Sequence, residues 1–169
     1  MRSANAGDVP LLFWTAAAWG AAITLAKDNA ELVGDLGRVE ALIDRALELD
    51  ERFEAGAIHA FLIPYETVRP TADGDPATRS RRHLERALEL CQGGQAGPLV
   101  SFAEAVAVPK QDRAEFQSLL RRALAIDPDA HPKWRLANLV MQRRARWLLS
   151  RVDELILPAA EPASAKETP

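Results

Sequence analysis

Apolar positions recur at helical spacing in three similar stretches, each built round the triplet Arg-Ala-Leu at Arg45, Arg86 and Arg122. In the first, Val39, Leu42, Ile43, Ala46 and Leu47 fall at i, i+3, i+4, i+7 and i+8; in the third, Phe116, Leu119, Leu120, Ala123 and Leu124 do the same. That spacing is one face of an α-helix. In the second stretch the same slots hold Ser80, His83, Leu84, Ala87 and Leu88, so two polar residues stand where both siblings are apolar. A unit returning at intervals of about forty residues predicts a helical module copied and stacked.

Upstream of each repeated helix lies a candidate partner: Pro10 to Lys27, Phe53 to Ile63, and Pro98 to Val108, with Pro132 to about Val152 as a last, unpaired helix. The sum is three and a half helical pairs, an all-α chain of about seven helices in an α-α superhelical bundle. The third copy ends Ala125-Ile126-Asp127-Pro128, which fits the second helix of a tetratricopeptide repeat. Counting on in that frame puts Trp134, Ala137 and Asn138 at large-small-small positions of the next first helix, with Asn138 where a tiny residue is usual. Local chemistry sets the boundaries: Asp75-Pro76 and Gly97-Pro98 put Pro at first helical positions, Asp112 with Glu115 resembles a capping box, and Gly93-Gly94 stops the second copy. Pro64 is expected to interrupt the helix begun near Phe53, and the turn-rich connection from Tyr65 to Asp75 is the longest inside the domain. The domain spans 9–157; the Pro- and Ala-rich segment 158–169 is expected to be a disordered tail.

The most apolar run, Val9 to Ala26, has little positive charge ahead of it, and its bulk is largely alanine, which suits neither a signal peptide nor a spanning helix well. A buried first helix is the favoured reading, its Ala-rich face admitting a close neighbour. Trp14 and Trp19 leave that helix by different faces, one entering the core and the other meeting a cleft or a neighbouring subunit. With 21 Lys+Arg against 24 Asp+Glu the chain is mildly acidic, without the basic excess that draws a protein to phosphate backbones, so no nucleic-acid partner is expected. The single Cys91 reads as a small core residue.

Nothing in the chain reads as catalytic. His59, His83 and His131 are scattered, and there is no HExxH, GxSxG or phosphate-binding Gly-Lys-Ser/Thr loop. No catalytic residue, metal site or cofactor is predicted. On the last helix the expected apolar stripe is Trp134, Ala137, Met141, Ala145 and Leu148, with Arg143 on a flanking face as a candidate for a structural ion pair. His83 needs a partner inside its stripe, either as a satisfied core or inter-repeat histidine or as part of a ligand or partner surface. The helix from Phe53 to Ile63 is apolar on nearly every side and should be surrounded, with His59 as its inward ionisable group. Phe61 and Tyr65 either fill the core or, beside Pro64, wall an apolar cleft of the kind that takes small ligands.

The stretches LLFWTAAAWGAAITLAKD, GDLGRVEALIDRALELD, GAIHAFL, RRHLERALEL, QDRAEFQSLLRRAL and RLANLVMQRRARWLL together resemble the TRAP-transporter-associated T component (TatT) family, over about Leu11 to Leu157. The resemblance implies divergent tetratricopeptide-like repeats, assembly as a homotrimer, and work in the periplasm beside the solute-binding protein of a tripartite transporter for small organic or hydrophobic ligands. Members are often lipid-anchored, whereas no signal peptide or lipid-attachment Cys is evident ahead of Leu11. A mature or truncated chain, or a start set too far downstream, is expected in preference to a protein kept inside the cell. The reading that follows is a non-enzymatic accessory protein with Trp14, Trp19, His59, Phe61, Tyr65, His83 and Asn138 as candidate ligand or partner contacts. The alternative is a cytoplasmic tetratricopeptide adaptor gripping a peptide or protein partner.

Overall fold

A computed structural model describes residues 4–26, 28–69 and 73–157. The expected disordered tail, Lys27 and part of the connection from Tyr65 to Asp75 lie outside them. The described residues are all-α, with no strand among them. The seven expected helices are α1 (Val9–Leu25), α3 (Leu36–Leu49), α4 (Ala57–Tyr65), α5 (Pro76–Leu90), α6 (Gly97–Phe102), α7 (Arg113–Leu124) and α8 (Arg135–Ser150). Two short ones add to them: α2 (Ala30–Gly34), capped by the Asn29 side chain, and α9 (Val152–Leu155). Asp75 accepts from the amides of Ala77 and Thr78 at the start of α5, where Pro76 has no amide hydrogen to lose. Asp112 accepts from Glu115 N, but the Glu115 carboxylate turns away to Arg81, so the capping box is only half made.

Consecutive helices pair. α1 packs on α3, α4 on α5, and α6, which continues as a wider π-type turn over Ala103–Ala107, on α7. α8 lies across α6 and α7, and α4 touches α6. Two cores result. One is made by Val9, Leu12, Phe13, Ala16 and Ile23 of α1 with Val39, Ile43 and Ala46 of α3 and Ile58, Leu62 and Tyr65 of α4. The other gathers Leu84, Ala87-side neighbours such as Leu88, and the buried faces of α6, α7 and α8 round Phe102, Phe116 and Leu120. Ile63 of α4 belongs to the second, so α4 is the helix that joins them. A helix apolar all round is what that position requires.

α4 starts later than the sequence predicts. Phe53–Ala55 form a 3₁₀ turn with Glu54 and Ala55 at φ 47° and 55°, and Gly56 follows at φ 95°. Gly56 is required twice over: by that left-handed conformation and by space, since a Cβ there would stand 3.3 Å from Ala87 Cα and 3.2 Å from Leu90 Cβ of α5. Pro64 does not interrupt the helix. It sits exposed in the last turn of α4, where its missing amide hydrogen costs one bond at the end of the ladder.

α1 packs its buried side on α3, as expected, but its other side is also apolar and lies open: Leu11 is 70% and Trp14 63% exposed. By length and composition, Ala6–Leu25 is also long and apolar enough to cross a membrane. α8 is rotated from the expected stripe. Its buried line is Asn138, Gln142, Ala145 and Leu148, while Ala137 is exposed. Two amides sit in that line because each closes a chain end. Asn138 accepts from Ala96 N and donates to Gly94 O, both at 2.9 Å, clamping the turn between α5 and α6; Gln142 donates to Ala123 O and Ile126 O at 3.1 and 2.6 Å, capping α7. Arg143 makes no ion pair among the described residues; its neighbour Arg144 takes Glu104 instead.

Replacing Asn138 by Ala strands a buried N–H and a C=O, and is expected to lower unfolding free energy by about 1–3 kcal/mol. Urea denaturation checks this, with Ala137→Ser on the exposed side as a control expected to stay within about 0.5 kcal/mol.

Candidate functional site

α4 presents different chemistry on its two sides. His59 and Glu66, seven residues apart, face α5; Phe61 and Tyr65 lie about 200° and about 240° round the helix from His59.

On the Phe61 side is an apolar cleft of about 670 Å³. Ala17, Gly20, Ala21, Ile23 and Thr24 of α1 form one wall, Val33 and Leu36 the floor, and Phe61, Pro64, Tyr65 and Val68 the other wall. None of these lining side chains is charged. The hydroxyls among the described lining residues are engaged with backbone: Thr24 donates to Gly20 O and Tyr65 to Leu36 O, each at 2.9 Å. Burial first, and then the nearby Glu40, push the Tyr65 phenol up to about 12, so it stays protonated and a donor to Leu36 O. An aromatic row leads outward from here: Tyr65 stacks on Phe61, Phe61 meets Phe13 edge-on, and Phe13 meets Trp14 in the same way. What such a space can hold is uncharged and apolar.

On the His59 side lies a charge network. Glu66, 2% exposed, accepts from Arg69 at 2.8 Å and from Arg79 of α5 at 2.5 Å. Arg69 also donates to Glu40 at 2.9 Å and pairs with Asp44, both on α3. Arg79 donates a further bond to Glu66 O, and Ser80 closes the neighbouring Ile63 carbonyl at 2.8 Å. Burial raises the Glu66 carboxyl, but the hydrogen bonds from Arg79 and Arg69 outweigh it and hold it below the usual carboxylate range. For Asp44 the balance runs the other way: burial prevails over Arg69 and pushes it up. His83 meets His59 Nδ1 to Nδ1 at 2.9 Å, so its polar place in an apolar stripe is filled by a partner histidine.

Of the seven candidate contacts, Phe61 and Tyr65 line the cleft. Trp14 reaches it only through Phe13, and Trp19 packs at the edge of the first core beneath the Arg38 guanidinium. His59 and His83 meet each other on the far side of α4, and Asn138 is the clamp in the second core. The small residues of α1 carry a signal for the other wall, at i, i+3, i+4 and i+7 from Ala17 to Thr24, but they leave space there and do not admit a close helix. The Glu66–Arg69–Arg79 network had no signal in the sequence, because its members lie in a connection and on separate helices.

A sequence model described as TRAP transporter T-component matches residues 1–156. An uncharacterized protein of Treponema pallidum (strain Nichols) is 28% identical over 150 residues, which cover 89% of this chain and 46% of that protein, so the chain spans about half the length of the curated relative it matches.

Glu66→Gln leaves two guanidiniums facing a neutral amide in a nearly sealed site, and is expected to destabilise the fold by about 3 kcal/mol. Breaking the exposed Arg113–Asp153 pair should cost under about 1 kcal/mol. Because the Glu66 carboxyl is held below its ordinary value, the unfolded chain takes up that proton first as pH falls. The stabilisation is therefore whole above the ordinary carboxylate range and is lost on acidification through the folded value, a dependence that Glu66→Gln should remove from thermal melts run across that range.

Proposed function

The chain belongs to the TRAP transporter T-component family, and from that premise we propose that it is a non-enzymatic accessory protein that engages the transporter's solute-binding subunit and holds a small apolar ligand between α1 and α4. The observation that carries the ligand is the cleft, with its volume of about 670 Å³ and its uncharged lining among the described residues. The order of helical pairs supports reading the fold as divergent tetratricopeptide-like repeats, an architecture whose surfaces serve partner binding. The open apolar side of α1 and the exposed Leu136, Val140 and Trp147 of α8 are surfaces that a partner or further copies of the chain would cover, in keeping with a homotrimer in the periplasm.

Ala21 is an exposed rim residue on α1, so a large side chain there enters the cleft without disturbing either core. The uncharged fluorophore N-phenyl-1-naphthylamine is expected to bind the wild-type chain and to lose at least about ten-fold in affinity with Ala21→Trp, at unchanged thermal stability. Equal affinity in the two proteins would remove the cleft as the site. Titration of the solute-binding subunit against the same two proteins then reads whether its contact includes this rim.

A further inference from the structure

Four ionisable groups stand in line across the contact between α4 and α5. His59 Nε2 lies 3.7 Å from Glu51, the two Nδ1 atoms face each other at 2.9 Å, and His83 Nε2 lies 3.6 Å from Glu66. A hydrogen bond between two imidazole nitrogens needs one N–H and one lone pair. The facing atoms therefore share a single proton, whether both rings are neutral or one is charged. With both rings protonated, two N–H donors and two like charges would oppose each other at 2.9 Å with no acceptor between them. At Gly56 the start of α4 stands close against Ala87 and Leu90 of α5, so the two helices are near each other beside the pair.

We propose that the His59–His83 pair is an acid-operated latch: it ties α4 to α5 while the facing nitrogens share one proton, and a second proton drives the two helices apart. The surroundings fix the direction. Burial, then the neighbouring His59, then Arg69 hold His83 down to about 4, against the pull of Glu66; burial, aided by Arg86, lowers His59 against Glu51. The two flanking carboxylates are themselves held by guanidiniums, Glu66 by Arg69 and Arg79 and Glu51 by Arg86. Glu40 and Asp44 of α3 join the line through Arg69, and Glu89 of α5 through Arg86. α6, which also packs on both helices, carries no charged side chain over Gly97–Phe102, and Glu104 in the turn beyond it pairs with Arg144. An opened or unfolded state binds the proton more readily than the closed one, so the latch is fully effective above about pH 6.5 and fails as pH falls toward the folded value. Because Phe61 and Tyr65 ride on the same helix, opening also displaces one wall of the cleft; this consequence, and only this one, rests on the cleft being a ligand site.

Amide hydrogen exchange of the full chain, corrected for the intrinsic pH dependence of exchange, tests the latch between about pH 7.5 and about pH 5. With a ring that titrates near 6.5 when open and near 4 when closed, protection of α4 and α5 should fall about ten-fold by about pH 5.5, while α7 changes little. The double variant His59→Gln with His83→Gln keeps a hydrogen-bonding pair that does not titrate, and its α4 and α5 protection should be flat over the same range. Unchanged protection in the wild-type chain, or the same loss in the double variant, overturns the proposal. Should the double variant not fold, proton NMR of the wild-type imidazoles decides: a ring midpoint well below 6.5 is expected, and two rings titrating at the ordinary value overturn the latch. N-phenyl-1-naphthylamine binding measured alongside separates the two ideas. If the dye does not bind even at neutral pH, the cleft reading fails and exchange alone judges the latch; if it binds equally well in the chain whose α4 has opened, the link from latch to cleft is overturned.

Discussion

The position of α4 depends on one buried carboxylate. Glu66 sits where α4 ends, almost sealed from water, and an unpaired charge there would be costly enough to unfold a domain of this size. It is tolerable because Arg79 reaches it from α5 and Arg69 from the connection beyond, and because Arg69 is in turn fixed by Glu40 and Asp44 on α3. The pairings are directional and mutually dependent, so α3, α4 and α5 can be brought together in few ways that satisfy them. The two cores supply most of the burial. The network determines how they are set against each other, since α4 is the element common to both.

The cleft follows from that placement. With α4 held toward α5, its Phe61 and Tyr65 face α1 across a gap that α1 does not fill, because Ala17, Gly20, Ala21 and Thr24 are short. Even Gly20 has room: a Cβ there would lie 3.5 Å from the Phe61 ring, an ordinary contact. The empty space therefore comes from side-chain size along a whole helix face and not from one missing group. Polarity is segregated to match. The charges that position α4 come from α3, α5 and the connection after α4 and none of them is among the cleft's lining residues, whose hydroxyls are engaged with backbone carbonyls.

The sequence made the helices legible wherever period and punctuation agreed. Val39 to Leu47 and Phe116 to Leu124 are buried on the side their spacing indicates, and Asp75-Pro76 and Gly93 mark real ends. It was less informative where a polar residue is buried for a local reason. On α8 the expected stripe holds at Ala145 and Leu148 and fails nearer its start, where Ala137 is exposed and the Asn138 and Gln142 amides are buried to serve the orphan backbone groups of the turn after α5 and of the α7 terminus. α2 was missed because a single turn has too few residues to show a period. For the candidate site, the Phe61 wall was legible as an apolar helix beside a proline. The opposite wall was read as a packing face, because small residues permit either close contact or a gap, and only the tertiary arrangement decides which.

The polar exceptions also answer a problem that repetition creates. The second helices of the three pairs share nearly the same apolar face, so burial alone discriminates weakly between α5 and α7 as the partner of α4. Aligned on the Arg-Ala-Leu triplet, Arg79, Ser80 and His83 of α5 correspond to Glu115, Phe116 and Leu119 of α7. A mispaired chain would bring Glu115 against Glu66, leave the Ile63 carbonyl facing a phenyl ring, and set His59 against an aliphatic side chain. Each of these is an uncompensated buried polar or charged group, costing about 1–3 kcal/mol and more where charge is involved. Correct pairing gives each of the three a partner on α5 at once. The residues that broke the pattern of the repeat are thus the ones that make its copies distinguishable, and they do so at the helix that carries the cleft wall.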